Sequence, residues 1–194
     1  MKPTHACWVL FGRVVLVWLG IILAFPSYGA ERKAFISDIV LTNTRDNLLV
    51  YFTVKNCFTP NITKAIEAGV PTSFTFVVKL YEVKRFWPDR LISSLDFTHE
   101  VSYDNLKKQY SVRLSERADG LIRVKDFKAA RKLMAEVVAL KLANLKLLRK
   151  GMHYQVRMMA ELDKIRLPLH LHRILFFLSL WDFRTDWYTL DFVY

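Results

Sequence analysis

Cysteine is scarce in this 194-residue chain. Cys7 and Cys57 are the only two, and Cys7 lies in an apolar N-terminal stretch apart from the rest. One remaining thiol cannot close an internal disulfide, so stability has to come from packing. Cys57 ends an apolar run and reads as a small buried side chain rather than a nucleophile. Glycine is equally thin, with six residues and no two close together. That excludes the glycine-rich loops that cradle phosphates and dinucleotides. The G-x-S-x-G, H-E-x-x-H and C-x-x-C patterns are absent as well, so no enzyme with a local signature is indicated, although a dispersed triad leaves no such trace. Acid is the minority charge: 18 Asp and Glu stand against 29 Lys and Arg, for a net +11. A surplus of that size favours anionic partners.

What is present begins with a leader. "MKPTHACWVLFGRVVLVWLGIILAFPSYGAERK" has a basic start ending at Arg13, an apolar run from Val14 to Phe25, and Pro26 as a breaker. Ser27 and Gly29 put small residues three and one positions before Ala30. This is the grammar of a secretory signal peptide over residues 1–29, followed by a single domain over 30–194. The competing reading joins the run to Ala6–Gly12 as one uncleaved anchor helix of about twenty residues. Arg13 in its middle would then cost roughly 2.5–3.5 kcal/mol. Either way the expectation is an exported protein, periplasmic or anchored in the inner membrane and facing the periplasm; a hydrophobic N-terminus kept in the cytoplasm is the third reading. Export removes nucleic acid as a partner. Without the leader, 27 basic residues face 18 acidic ones, a match for an anionic membrane.

After the leader the period is two. Residues 34–42 and 48–56 flank the turn-rich "NTRDN" and read as a hairpin. Thr59 and Pro60 open a short helix that Gly69 and Pro71 stop, with Ile62, Ala65 and Ile66 on one face. Residues 72–86 alternate, with Phe74, Phe76, Val78 and Leu80 on one side, until "RFWPDR" breaks the run. Leu91, Leu95, Phe97, Val101 and Tyr103 form the inward set of the next strand, and Tyr110, Val112 and Leu114 continue it. A loop over 115–124 leads to a second helix at 125–137, where Phe127, Ala130, Met134 and Val137 keep helical spacing. A short strand at 138–143 follows. From Tyr154 the inward set is Tyr154, Val156, Met158, Ala160 and Leu162. Ile174–Leu180, too short to span a bilayer as a helix, and the aromatic tail after it read as two more strands, with an exposed aromatic patch for a partner as the alternative.

In "LRKGMHYQVRMMA", Leu148, a turn through Gly151 and Tyr154 opening a strand resemble the tyrosine corner of fibronectin type III domains, where the phenol bonds the backbone just upstream. With about seven short alternating strands, the expected fold is mainly β: an antiparallel immunoglobulin- or fibronectin-III-like sandwich with two short helices behind a signal or anchor helix. The two helices argue against a small outer-membrane barrel.

Longer stretches carry a second resemblance. "ITKAIEAGVPTSFTFVVKLYEVKRFW", "VSYDNLKKQYSVRL", "YQVRMMAELDKIRLPLHL" and the closing "WDFRTDW" resemble a bacterial family known as domain of unknown function 4390. Its most telling elements here are Ala68-Gly69-Val70-Pro71 before a strand, Trp87 at that strand's end, Tyr103 with Tyr110, and Leu162-Asp163 followed by Leu167-Pro168. The resemblance implies small exported or membrane-associated proteins, neighbours of sensor-kinase genes. It implies no activity, so no catalytic residue carries over.

Candidate chemistry is sparse. His170 and His172 share one face of an extended segment, and Glu161 or Asp163 would have to complete a metal site; two histidines without a third ligand are more simply solvated. His99 and His153 read as surface or boundary residues. Asp182 and Asp186 would pair only on a helix, and salt bridges to Arg184 and neighbouring bases explain them better. No catalytic, cofactor-binding or metal residue is assigned, and no cofactor is expected. The largest charge feature is the basic run of Lys125, Lys128, Arg131 and Lys132, continued by Lys141, Lys146, Arg149 and Lys150. The run reads most simply as a solvated helix face and loop; Lys125, Lys128, Arg131 and Lys132 are the candidate contacts if it meets an anionic membrane, while Tyr154, Leu148 and Gly151 are structural. The function expected is a non-enzymatic envelope module binding an envelope or inner-membrane protein, such as a membrane-bound sensor. A binder of a lipid-like or apolar ligand is the alternative, and an enzyme without a recognisable motif the third.

Overall fold

Residues 33–163 and 184–194 are described by a computed structural model of the protein. Alternation gives the strands β1 (Phe35–Asn43), β2 (Asn47–Lys55), β3 (Thr72–Glu82), β4 (Arg90–Asp104), β5 (Gln109–Leu114), β6 (Leu121–Val124), β7 (Glu136–Asn144), β8 (His153–Leu162) and β9 (Tyr188–Val193). Two helices interrupt them, α1 (Pro60–Glu67) between β2 and β3 and α2 (Phe127–Ala135) between β6 and β7. Thr59 caps α1 by accepting from the Ile62 N–H at 3.3 Å, with Pro60 in the first turn where no N–H is needed. Asp126 caps α2 in the same way, accepting from Ala129 at 3.1 Å.

The described strands form two open antiparallel sheets, one in the order β1-β2-β7 and one in the order β6-β5-β4-β3-β8-β9. Neither closes into a barrel. Their apolar faces share one core: the Phe52 ring on β2 lies 6.1 Å from Phe76 on β3, and Phe76 stacks on Phe97 of β4 at 5.1 Å. Phe74, Phe76, Val78 and Leu80 are wholly buried, as are Tyr154, Val156, Met158 and Ala160 on the neighbouring strand. Helix α2 lays Ala130 and Met134 on this core and sets Phe127 against Tyr110 at 5.4 Å. Residues 33–194 thus form a compact unit holding all of the described core.

The two ends of the sheets differ. One end gathers the β3–β4 loop (83–89), the β1–β2 turn and the β7–β8 corner (145–152). Backbone bonds tie them: Leu145 N–H to Asp46 O at 2.8 Å, Val83 N–H to His153 O at 2.9 Å, and Tyr194 N–H to Met152 O at 3.2 Å. The other end holds the end of β2, helix α1 and the start of β3.

Several expectations need correction. Helix α2 is shorter than 125–137, because Glu136 already pairs with Thr53 as β7. The 115–124 loop contains β6, paired with β5 from Tyr110↔Val124 to Arg113↔Leu121. The strand from Thr72 stops at Glu82 rather than residue 86. Leu91 leaves the inward set: a bulge shifts the β3–β4 register between Leu80 and Tyr81, and Leu91 ends 51% exposed. His99 is no surface residue, since it shares the inward parity of Phe97 and Val101 and is wholly buried. The strand expected at Ile174–Leu180, with His170, His172 and Asp182, lies outside the described residues.

Candidate functional site

The described surface is concave where β2 ends and α2 passes beside it. After Lys55 the chain turns through Asn56, whose positive φ of 58° suits asparagine. The turn sends Cys57 inward. Its Sγ donates to Val54 O at 3.4 Å, and burial pushes the thiol up to about 12. A thiol that stays protonated at neutral pH is no nucleophile. Phe58 follows and faces α2, 6.2 Å from the Phe127 ring.

Between these elements runs a groove of about 800 Å³, open to solvent. Phe58, Cys57 and Val54 supply apolar lining, and Lys55, Lys128, Arg131 and Lys132 supply cationic walls. The Arg131 guanidinium lies over Phe58 at 5.2 Å and over Phe127 at 5.8 Å, which orients it with little entropy left to lose. Lys55 meets Asp38 at 2.9 Å, and Lys132 meets Glu136 at 3.9 Å. Both are exposed pairs of the kind that contributes little and exchanges readily. Asp126 is engaged in capping the helix.

The basic run read from sequence therefore divides. Lys128, Arg131 and Lys132 line the groove, while Lys125 is exposed outside its lining. Lys146, Arg149 and Lys150 lie at the opposite end, across the nine residues of β7, a separation of roughly 30 Å at the rise of a strand. Lys55 was missed, because nothing in sequence links it to a helix some seventy positions later.

That opposite end contains the Tyr154 corner. The wholly buried phenol accepts from the Arg149 N–H at 2.7 Å, and its ring packs 5.6 Å from Phe192. Leu148 is buried beside it. Gly151 takes a φ of 76°, a conformation rather than a close approach, since an added Cβ would meet nothing. The Arg149 side chain continues to Glu82, bonding Oε1, while Arg90 donates to Oε2 from Nε at 3.0 Å and Nη2 at 2.5 Å. Hydrogen bonds from Arg90, opposed by burial and joined by those from Arg149, hold the Glu82 carboxyl below its ordinary range.

One further polar group sits in the core. His99 Nδ1 donates to the Met134 carbonyl at 3.0 Å, and Nε2 lies 3.1 Å from Glu116 Oε1. A carbonyl only accepts, so Nδ1 carries hydrogen, and Nε2 and Glu116 hold a single proton between them. Burial works to raise Glu116, but the His99 hydrogen bond and charge outweigh it and leave the carboxyl lowered. The pair ties β4 to α2 through the β5–β6 loop and lies outside the lining of the groove. Its signal in sequence was the parity of residue 99.

The remaining candidates separate. Glu161 meets Arg184 at 3.6 Å, Asp163 accepts from Thr75 Oγ1 at 2.5 Å, and Asp186 and His153 are exposed. Among the described residues no three His, Cys, Asp or Glu side chains are grouped to hold a metal ion. Nor is any described helix long and apolar enough to cross a membrane. The groove places cations over an aromatic floor.

No curated protein and no solved structure matches the chain. The model of the domain of unknown function DUF4390 matches residues 31–191, nearly the whole length, and the chain belongs to that family.

Proposed function

We propose that this protein is an exported, non-enzymatic interaction module of the cell envelope, with the α2 groove receiving an acidic segment of an envelope or inner-membrane protein. The leader over 1–29 directs export. The domain is an immunoglobulin- or fibronectin-III-like sandwich. Its β1-β2-β7 sheet follows the A-B-E order of such folds, and β3, β8 and β9 follow C, F and G, with β4 to β6 extending beyond C. The tyrosine opening β8 supports the same assignment.

The observation that carries the function is the groove lining: Lys55, Lys128, Arg131 and Lys132 around an apolar floor. An incoming carboxylate can replace Asp38 or Glu136 at small cost, because exposed pairs contribute at most about 1 kcal/mol. Apolar side chains of the same segment would cover Phe58. Concavity favours a protein segment over a headgroup plane, which would meet only the rim. The attraction decays over about 8 Å at physiological ionic strength, so binding should weaken with salt.

The test is affinity capture from crosslinked envelope fractions, comparing the parent with Lys128→Glu/Arg131→Glu/Lys132→Glu. The reading expects a membrane-bound protein captured by the parent and lost in the reversed variant, with melting unchanged. Equal capture by a folded reversed variant would refute it.

A further inference from the structure

We infer that the β3–β4 loop is a membrane-docking tip that inserts its aromatic side chains into the headgroup region of an anionic bilayer. The inference does not depend on the groove, which lies at the other end of the domain. Phe86 and Trp87 are 85% and 76% exposed at the turn of the longest hairpin, and Leu91 beside them is 51% exposed. Adjacent bulky aromatic rings left this bare on a loop form an apolar patch of the kind that marks an interaction site. Lys84 and Arg85 precede them, and the Arg85 guanidinium lies 5.6 Å over the Phe86 ring.

Charge selects the occupant. The two acids at the tip of this hairpin are already engaged: Glu82 is buried between Arg90 and Arg149, and Asp89 binds Arg157 at 2.7 Å and faces the Lys84 N–H at 3.4 Å. Arg45 and Asp46 of the nearby turn offset each other. What remains outward is cationic, namely Lys84, Arg85 and, on the adjoining corner, Lys150. Exposed aromatics ringed by cations are the composition of an interfacial anchor: indole and phenyl rings settle at the headgroup level while Lys and Arg meet lipid phosphates. The ion pairs at its base hold the loop projecting, so little order has to be imposed on insertion.

The experiment uses residues 33–194, which hold all of the described core, with vesicles of phosphatidylglycerol and phosphatidylethanolamine and, separately, of phosphatidylcholine. The parent should sediment with the anionic vesicles and ignore the neutral ones. Phe86→Ser/Trp87→Ser should lower the bound fraction by at least about tenfold, the partition that one buried aromatic side chain supplies. Brominated lipid should quench the parent's fluorescence. Trp87→Phe should bind yet lose most of that quenching, whereas groove reversal at Lys128, Arg131 and Lys132 should leave both readouts unchanged. The inference is overturned if the parent ignores anionic vesicles, if the serine variant binds like the parent, or if only groove reversal abolishes binding.

Discussion

Replacing Tyr154 by phenylalanine removes one oxygen from a wholly buried ring and leaves the rest of the packing in place. The lost group accepts the Arg149 N–H at 2.7 Å, and that N–H is partly buried in the β7–β8 corner. Deleting one hydrogen bond of this kind should cost about 0.5–1.5 kcal/mol. At about 2–4 °C per kcal/mol for a domain of this size, melting should fall by roughly 1–6 °C. Alanine at the same position also forfeits the contact with Phe192 and leaves a ring-sized cavity among Val156, Leu148 and their neighbours. That variant should lose about 3–5 kcal/mol. Urea denaturation of residues 33–194, followed by circular dichroism, gives both values on one axis. A phenylalanine variant as stable as the parent would show that the corner is held by packing alone, and the argument from the phenol would fail.

Three further outcomes are testable, two from the geometry and one from the leader sequence. Because Arg90 and Arg149 depress the Glu82 carboxyl, its contribution is complete above its ordinary value of about 4.3 and is lost as pH falls through the lower folded value; Glu82→Gln should flatten that acid limb of a stability–pH curve, and an unchanged limb would remove Glu82 from the account. His99→Leu strips the Met134 carbonyl and Glu116 of their partner, so stability should drop by at least about 1–3 kcal/mol at neutral pH, and a variant that melts with the parent would show the pair to be incidental. Intact-mass analysis of envelope-purified protein should find Ala30 at the N-terminus, and a fusion of residues 1–40 to a reporter active only outside the cytoplasm should be active; an inactive fusion would remove export.

The sheets were legible because their faces are chemically unequal. Phe74 to Leu80 and Tyr154 to Leu162 alternate apart from Val77 and Met159, and every inward member is buried. The corner was legible because its parts lie within seven residues, Leu148 to Tyr154. What escaped detection was set by pairing over distance. The four residues of β6 are strand only because β5 lies beside them. Leu91 points outward because of a bulge that its own sequence does not announce. His99 carried a usable signal, its parity, which its polarity masked. The candidate site was half visible: Lys128, Arg131 and Lys132 share a helix, but Lys55 and Phe58 reach them only through the packing of β2. The linear charge run suggested one surface, whereas β7 carries its two halves to opposite ends. The aromatic hairpin tip appeared in sequence as a break in alternation and, at Trp87, as part of the family resemblance, but not as a docking surface.

The central claim, that the groove between β2 and α2 receives an acidic partner segment, is tested most directly by placing a photocrosslinking residue at Ala129, which lines it, and another at Lys108, in the β4–β5 turn outside its lining. In living cells the account predicts a discrete crosslinked product from position 129, lost when Lys128, Arg131 and Lys132 are reversed, and none from position 108. No product from position 129, or one that survives the reversal, would contradict it.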